Sequence, residues 1–167
     1  MDTYLWDLLH VRGEEILRAE PSVMLAVVRR CLSIKAQYVA FDQRDSGLRR
    51  HLNLGHTFGH AMEGACETLE HGEAIALGLL AATRLSISLG MASKGLDREL
   101  EALLCSLNLP TTVSGRPSRD ALALMEADKK HGHEVRTFIV PTGVGNCRII
   151  SDPPPDLVIE ALESLIE

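Results

Sequence analysis

The segment from Ala74 to Leu89, AIALGLLAATRLSISL, is apolar on almost every side. A helix of that character has no face to offer water, so it is stable only when other elements surround it. It falls short of the ~18 to 20 consecutive apolar residues that a membrane span needs, and Arg84 interrupts it. The segment therefore predicts a helix buried in the middle of a bundle. Composition agrees: 46% of the 167 residues are hydrophobic, enough for a substantial core. Leu and Ala dominate, and the aromatic residues are only Trp6, Tyr4, Tyr38, Phe41, Phe58 and Phe138, which favours helix packing over an aromatic-rich β sandwich.

Around that helix the turn signals fall between periodic segments, and no repeat or low-complexity tract intervenes. The expected architecture is one domain over residues 1–167, mainly α, a helical bundle with one small β hairpin. Asp2 to Arg18 reads as a short amphipathic piece broken at Gly13. Pro21 suits the first turn of a helix running to about Phe41, with Met24, Val27, Val28, Cys31 and Ile34 at helical spacing. A polar turn, Asp42 to Gly47, leads to Leu52, and from there to Leu69 a helix is expected despite Gly55, Gly59 and Gly64. The cost of glycine in a helix, ~1 kcal/mol each, points to close packing or a nearby ligand.

Residues 70–73 read as a turn, Gly90 as a helix stop, and Leu96 to Leu107 as an amphipathic helix. Ser118 to Lys130 predicts another, with Ser118 as N-cap. Arg136 to Val140 and Cys147 to Ile150, joined across Pro141-Thr-Gly-Val-Gly145, predict the hairpin. A final helix follows Pro153 to Pro155. The total is six or seven helices.

Seventeen basic against twenty-three acidic residues, with no basic run longer than a pair, argue against a nucleic-acid surface. The N-terminus lacks the basic flank and apolar core of a signal peptide, so a cytoplasmic protein without a membrane partner is expected. Cys31, Cys66, Cys105 and Cys147 form no CxxC pair and are expected to be reduced, mostly buried thiols.

Three of the seven histidines, His56, His60 and His71, fall within sixteen residues. His56 and His60 are four apart, so on a helix their imidazoles share a face and could hold one divalent metal. His71, opening the next helix, could fold back to the same spot; the plainer alternative is that two of the three are core or capping histidines. Glu63 is not placed to make an HExxH zinc motif. A second constellation is cationic: Lys35, Arg49, Arg50 and the doublet Lys129-Lys130. Such groups are most often solvated, yet each borders a helix end or the histidine segment, and together they could converge on an anionic substrate.

Leu52-Asn-Leu-Gly-His-Thr-Phe-Gly-His-Ala-Met-Glu63, followed by His71-Gly-Glu-Ala-Ile-Ala-Leu-Gly78, resembles the signature of the 3-dehydroquinate synthase family. Lys35-Ala-Gln-Tyr-Val-Ala-Phe-Asp42 with Ser46-Gly-Leu-Arg49 is similar to that family's upstream segment. Asp128-Lys-Lys130 and Phe138-Ile-Val-Pro-Thr-Gly-Val-Gly145 are similar to its downstream part. The resemblance runs in order from about residue 2 to the C-terminus. It implies the metal- and substrate-binding half of an enzyme of the shikimate pathway that uses a divalent metal (Zn2+, or another such as Co2+) and NAD to convert a heptulosonate phosphate to 3-dehydroquinate with loss of phosphate. By the resemblance, His56 and His71 are the metal ligands and His60 contacts substrate and phosphate. Lys35, Arg49 and Asn53 hold the substrate's carboxylate and hydroxyls. Lys130, or Lys129 of the same doublet, lies near the phosphate.

Departures from the family pattern accompany the match. No glycine-rich turn follows an apolar strand, so NAD is expected on an N-terminal domain or subunit that this chain lacks. The family's third metal ligand, a glutamate in an Ala-Glu-x-x-Lys type segment, has no counterpart here, and Gln43 stands where a glutamate is usual. The chain alone is accordingly expected to be catalytically incomplete. The partners implied are a phosphorylated sugar-acid substrate, the NAD-binding domain and, through an apolar face left uncovered, a second copy. Other readings are a related sugar-phosphate cyclase acting on another substrate, or a non-catalytic relic or binding subunit.

Overall fold

A computed structural model describes residues 2–44, 47–66, 68–114 and 137–167. In chain order the elements are α1 (Thr3–Val11), α2 (Gly13–Leu17), α3 (Pro21–Phe41), a 3-10 helix (Leu48–Asn53), α4 (His56–Ala65), α5 (His71–Ser88), α6 (Leu96–Ser106), β1 (Thr137–Gly143), β2 (Asn146–Ser151) and α7 (Pro155–Glu163). The architecture is the expected helical bundle with one antiparallel hairpin. The predicted helix Ser118 to Lys130 lies outside the described residues.

Helix α5 is the hub. It packs on α4, α6, α7 and β1, and Leu77, Leu80 and Leu85 are wholly buried along it. Phe58 and Met62 of α4, Leu104 of α6, Phe138 and Val140 of β1, and Val158 and Leu162 of α7 close over it as one core. The rings of Phe58 and Phe138 lie 5.4 Å apart. Arg84, the one charge on this helix after its first turn, reaches outward: its Nη1 donates to the Ser164 carbonyl at 2.7 Å and its Nη2 lies 3.5 Å from a Glu101 carboxylate oxygen. Placed there, the charge ties α5 to α6 and to the end of α7 and stays partly solvated.

Local signals explain most element boundaries. Asp2 caps α1 by accepting from the Leu5 N–H at 2.8 Å. Its carboxylate also bonds Arg30 of α3, which holds the Asp2 carboxyl below its usual range and the Arg30 guanidinium above its own. Pro21 opens α3, as expected of a residue without an N–H at the first helical position. The hairpin turns at Val144-Gly145, where Gly145 takes φ +85°, and the pairing slips between Pro141 and Gly143.

Several expectations are corrected. Helix α5 begins at His71 rather than Ala74, because Glu70 and Glu73 form a reciprocal capping box: the Glu70 side chain accepts from the backbone three residues on, and Glu73 accepts from the Glu70 N–H at 3.0 Å. Helix α4 is shorter than expected: residues 48–53 form the separate 3-10 turn, and Cys66, at φ −140°, leaves the helix before Leu69. None of the four thiols is fully buried, and Cys31 and Cys105 are exposed on the outer faces of α3 and α6. Cys147 is half-buried, and that burial pushes its thiol up from the ordinary value. On α3, Val23 is the buried residue, while Leu25, Val28 and Leu32 are exposed; the helix packs chiefly on α1, α2 and the 3-10 turn rather than on α5.

Candidate metal and substrate site

The glycines explain how two helix starts can meet. Gly78 on α5 stands where an added Cβ would overlap the carbonyl oxygen of Gly55 and come within 2.6 Å of the Gly59 nitrogen. Gly59 is crowded too, though less rigidly: its Cβ position lies 2.7 Å from Ile75 Cδ1, a side-chain end, and 3.1 Å from the Ala74 carbonyl oxygen. With no side chains in between, α4 and α5 lie in backbone contact, which brings the first residue of α5 beside the first two turns of α4. Of the three glycines whose helix cost pointed to close packing, Gly55 and Gly59 are packed closely and Gly64 is exposed; Gly78, on the facing helix, was not singled out.

Three imidazoles gather there. The His56 and His60 ring centroids are 5.3 Å apart, and the His71 ring lies 5.9 Å from each. Glu63 completes a row on α4: residues 56, 60 and 63 are spaced four and three apart and share one face. Its Oε2 lies 3.2 Å from His71 Nδ1. His56 Nδ1 lies 3.4 Å from the Leu54 carbonyl oxygen. His60 has no such acceptor among the described residues and is exposed. Possible ligand atoms of His60, Glu63 and His71 all fall within 4.8 Å of one another. Sequence reasoning set Glu63 aside for failing the HExxH test; its place in the helical row with His56 and His60 was the signal available.

The predicted cations are less gathered. Arg49 sits in the 3-10 turn that feeds α4, its backbone N–H donating to the Asp42 carboxylate at 3.1 Å and its Nη1 to the Gln43 carbonyl at 3.3 Å. Asn53 is exposed as the last residue of that turn, three positions before His56. Lys35 is exposed within the last two turns of α3, and no hydrogen bond or ring contact joins it to the imidazoles. Helix α3 packs against the 3-10 turn, so Lys35, Arg49 and Asn53 lie on adjoining elements. Lys129 and Lys130 lie outside the described residues.

Chemically, imidazoles and one carboxylate around a shared space suit a divalent metal of the zinc type. No helix among the described residues is long and apolar enough to cross a membrane.

Comparison with known proteins gives the arrangement its context. Residues 1–131 match a family model described as the C-terminal part of 3-dehydroquinate synthase. The 3-dehydroquinate synthase of Idiomarina loihiensis is 37% identical over 152 residues, covering 90% of this chain and 42% of the relative. That of Thermosynechococcus vestitus is 38% identical, covering 96% of this chain and 46% of the relative. The chain thus spans less than half the length of these curated relatives. Among solved structures, 2-epi-5-epi-valiolone synthase from Streptomyces hygroscopicus, with NAD+ and Zn2+ bound, superposes with a TM-score of 0.84 at 23% identity, over 98% of this chain and 46% of that one. A 2-deoxy-scyllo-inosose synthase complexed with carbaglucose-6-phosphate, NAD+ and Co2+ superposes at 0.72 with 20% identity, over 85% of this chain and 41% of that one. The fold is that of the matched part of these two synthases, and the match over residues 1–131 shows that the chain belongs to the 3-dehydroquinate synthase family.

Proposed function

We propose that this chain supplies the metal- and substrate-binding half of a 3-dehydroquinate synthase, acting with an NAD-binding part outside these 167 residues to cyclise a heptulosonate 7-phosphate with loss of phosphate. The substrate choice follows the curated relatives, which at 37–38% identity carry that activity in their names. One observation carries the site assignment: His56 and His71 each have Nδ1 against an acceptor, at 3.4 and 3.2 Å, which leaves both Nε2 atoms free to ligate. His60 lacks that arrangement, so it suits contact with substrate and phosphate better than ligation. Lys35, Arg49 and Asn53 together hold the substrate's carboxylate and hydroxyls, and Lys130, or Lys129 of the same doublet, lies near the phosphate.

When bound, a divalent cation on His56 and His71 would polarise a substrate oxygen. The nicotinamide belongs, in this reading, to the part outside these 167 residues. The chain's own residues bind and orient: Arg49 is held toward the Gln43 carbonyl, and the 3-10 turn carrying it runs directly into His56.

The test is complementation. The purified chain with NAD and zinc is expected to release no phosphate above a His56→Ala control. Adding the N-terminal part of a dehydroquinate synthase, ending after its glutamate segment, is expected to restore release. In that mixture His56→Ala and His71→Ala should lose zinc, whereas His60→Ala should keep zinc and lose turnover. Equal zinc loss in His60→Ala would put the metal on the one-turn His56/His60 pair instead, and turnover by the chain alone would refute the division of the site.

A further inference from the structure

The most specific polar contact in the cluster is the one that the family signature leaves without a role: the Glu63 carboxylate against His71 Nδ1 at 3.2 Å. We propose that Glu63 is a positioning residue that fixes the tautomer and ring orientation of His71, so that His71 Nε2 carries the lone pair presented to the metal. The inference rests on the reading of His71 as a ligand.

A neutral imidazole has one N–H and one lone pair, and which nitrogen carries the proton is set by the partner of the other. An ionised carboxylate only accepts, so a carboxylate on Nδ1 selects the Nδ1–H form and leaves Nε2 unprotonated. A carboxylate behind a ligating histidine is a recurring device at zinc sites, where it orients the ring and raises its basicity. His71 needs such a restraint. It is the first residue of α5, and its side chain is 57% exposed. The His56 and His60 rings lie 5.9 Å away, but Glu63 is its one side-chain hydrogen-bond partner among the described residues, and a histidine side chain in water prefers the opposite, Nε2–H form. Glu63 comes from the facing helix, one turn beyond His60 on the same side of α4, so the restraint spans the α4/α5 junction that the glycine contact sets. His56 is restrained in the same sense by the Leu54 carbonyl, 3.4 Å from its Nδ1. The two proposed ligands are thus held by different acceptors, one backbone and one side chain, and only the second is open to substitution.

The measurement is a two-bond proton–nitrogen correlation spectrum of the 15N-labelled chain without metal at about pH 8.5, two units above the ordinary imidazole value. His71 is expected as the Nδ1–H tautomer. Glu63→Ala should move it to Nε2–H, and Glu63→Gln, whose amide oxygen still accepts, should retain Nδ1–H. A zinc titration against a competing chromophoric chelator should then show Glu63→Ala weakened about 10- to 100-fold, with Glu63→Gln recovering most of the loss. Circular dichroism separates these effects from misfolding. An Nε2–H tautomer in the unchanged chain, or zinc affinity unaltered in Glu63→Ala, overturns the proposal. So does Glu63→Gln losing zinc as completely as His71→Ala, which would make Glu63 a ligand together with His60 and His71. If His71→Ala bound zinc as tightly as the unchanged chain, the reading of His71 as a ligand would fail, while the tautomer would still report whether Glu63 governs the ring.

Discussion

At the scale of single residues, the site depends on side chains that are missing as much as on those present. Gly78 has the backbone of Gly55 and Gly59 where its Cβ would be. Gly78→Ala must therefore separate α4 from α5, and overpacking of this kind costs about 1 to 3 kcal/mol. Gly72, on the first turn of α5, has nothing within 4 Å of its Cβ position and no left-handed φ. Gly72→Ala should stabilise by about 0.4 to 1 kcal/mol through the unfolded chain. Urea denaturation of both variants checks the contrast, and a Gly78→Ala protein as stable as Gly72→Ala would show that the helices can part at no cost. The sequence made this junction partly legible: a high density of glycine in an otherwise helical stretch is a local anomaly. Which glycines meet is a matter of tertiary geometry. Gly64, exposed, looked the same on paper as Gly59, buried.

At the scale of elements, helix interiors were legible and the α4 and α5 boundaries were not. The apolar run of α5 survives any rotation of the helix, so its burial on most sides followed from the sequence alone. The capping box at its start did not, because Glu at the N-cap is an uncommon choice beside Ser, Thr, Asp or Asn. Yet that box decides where His71 stands, since it makes His71 the first helical residue instead of part of a turn. Glu70→Ala removes the acceptor for the backbone three residues on, and should lower stability by about 0.5 to 2 kcal/mol. Glu70→Ala with Glu73→Ala should cost less than the sum of the two, because each carboxylate serves the same first turn. Strict additivity in a double-mutant cycle would refute reciprocal capping. Helix α3 shows the opposite failure: its helical spacing was read correctly, but spacing cannot say what lies opposite, and Val28 and Cys31 of the predicted face are exposed.

At the scale of the whole molecule, the last turn closes the fold across a long separation in sequence. Val113 donates its N–H to the Leu165 carbonyl at 2.8 Å, and Glu167 donates to the Val113 carbonyl at 3.3 Å, a parallel bridge between Val113 and Ile166. Leu165 is wholly buried in the same core as Leu77 and Leu80. Arg84 holds the carbonyl of Ser164 from the central helix. Terminal residues usually fray when nothing ties them down; these are tied by a buried side chain, two backbone bonds and a guanidinium. Leu165→Ala should therefore cost about 2 to 5 kcal/mol, as expected of a core leucine. A chain ending at Ser164 should lose that much and about 0.5 to 1.5 kcal/mol more for each backbone bond. At ~2 to 4 °C per kcal/mol for a protein of this size, the truncation should lower the melting temperature by about 6 °C or more. Glu167→Ala, which keeps the backbone bonds and removes the side-chain acceptor of Thr112, should change little. Thermal unfolding followed by circular dichroism compares the three. If the truncated chain melted together with Glu167→Ala, the closure would be an ornament of the fold, and the core around α5 would be complete without its last turn.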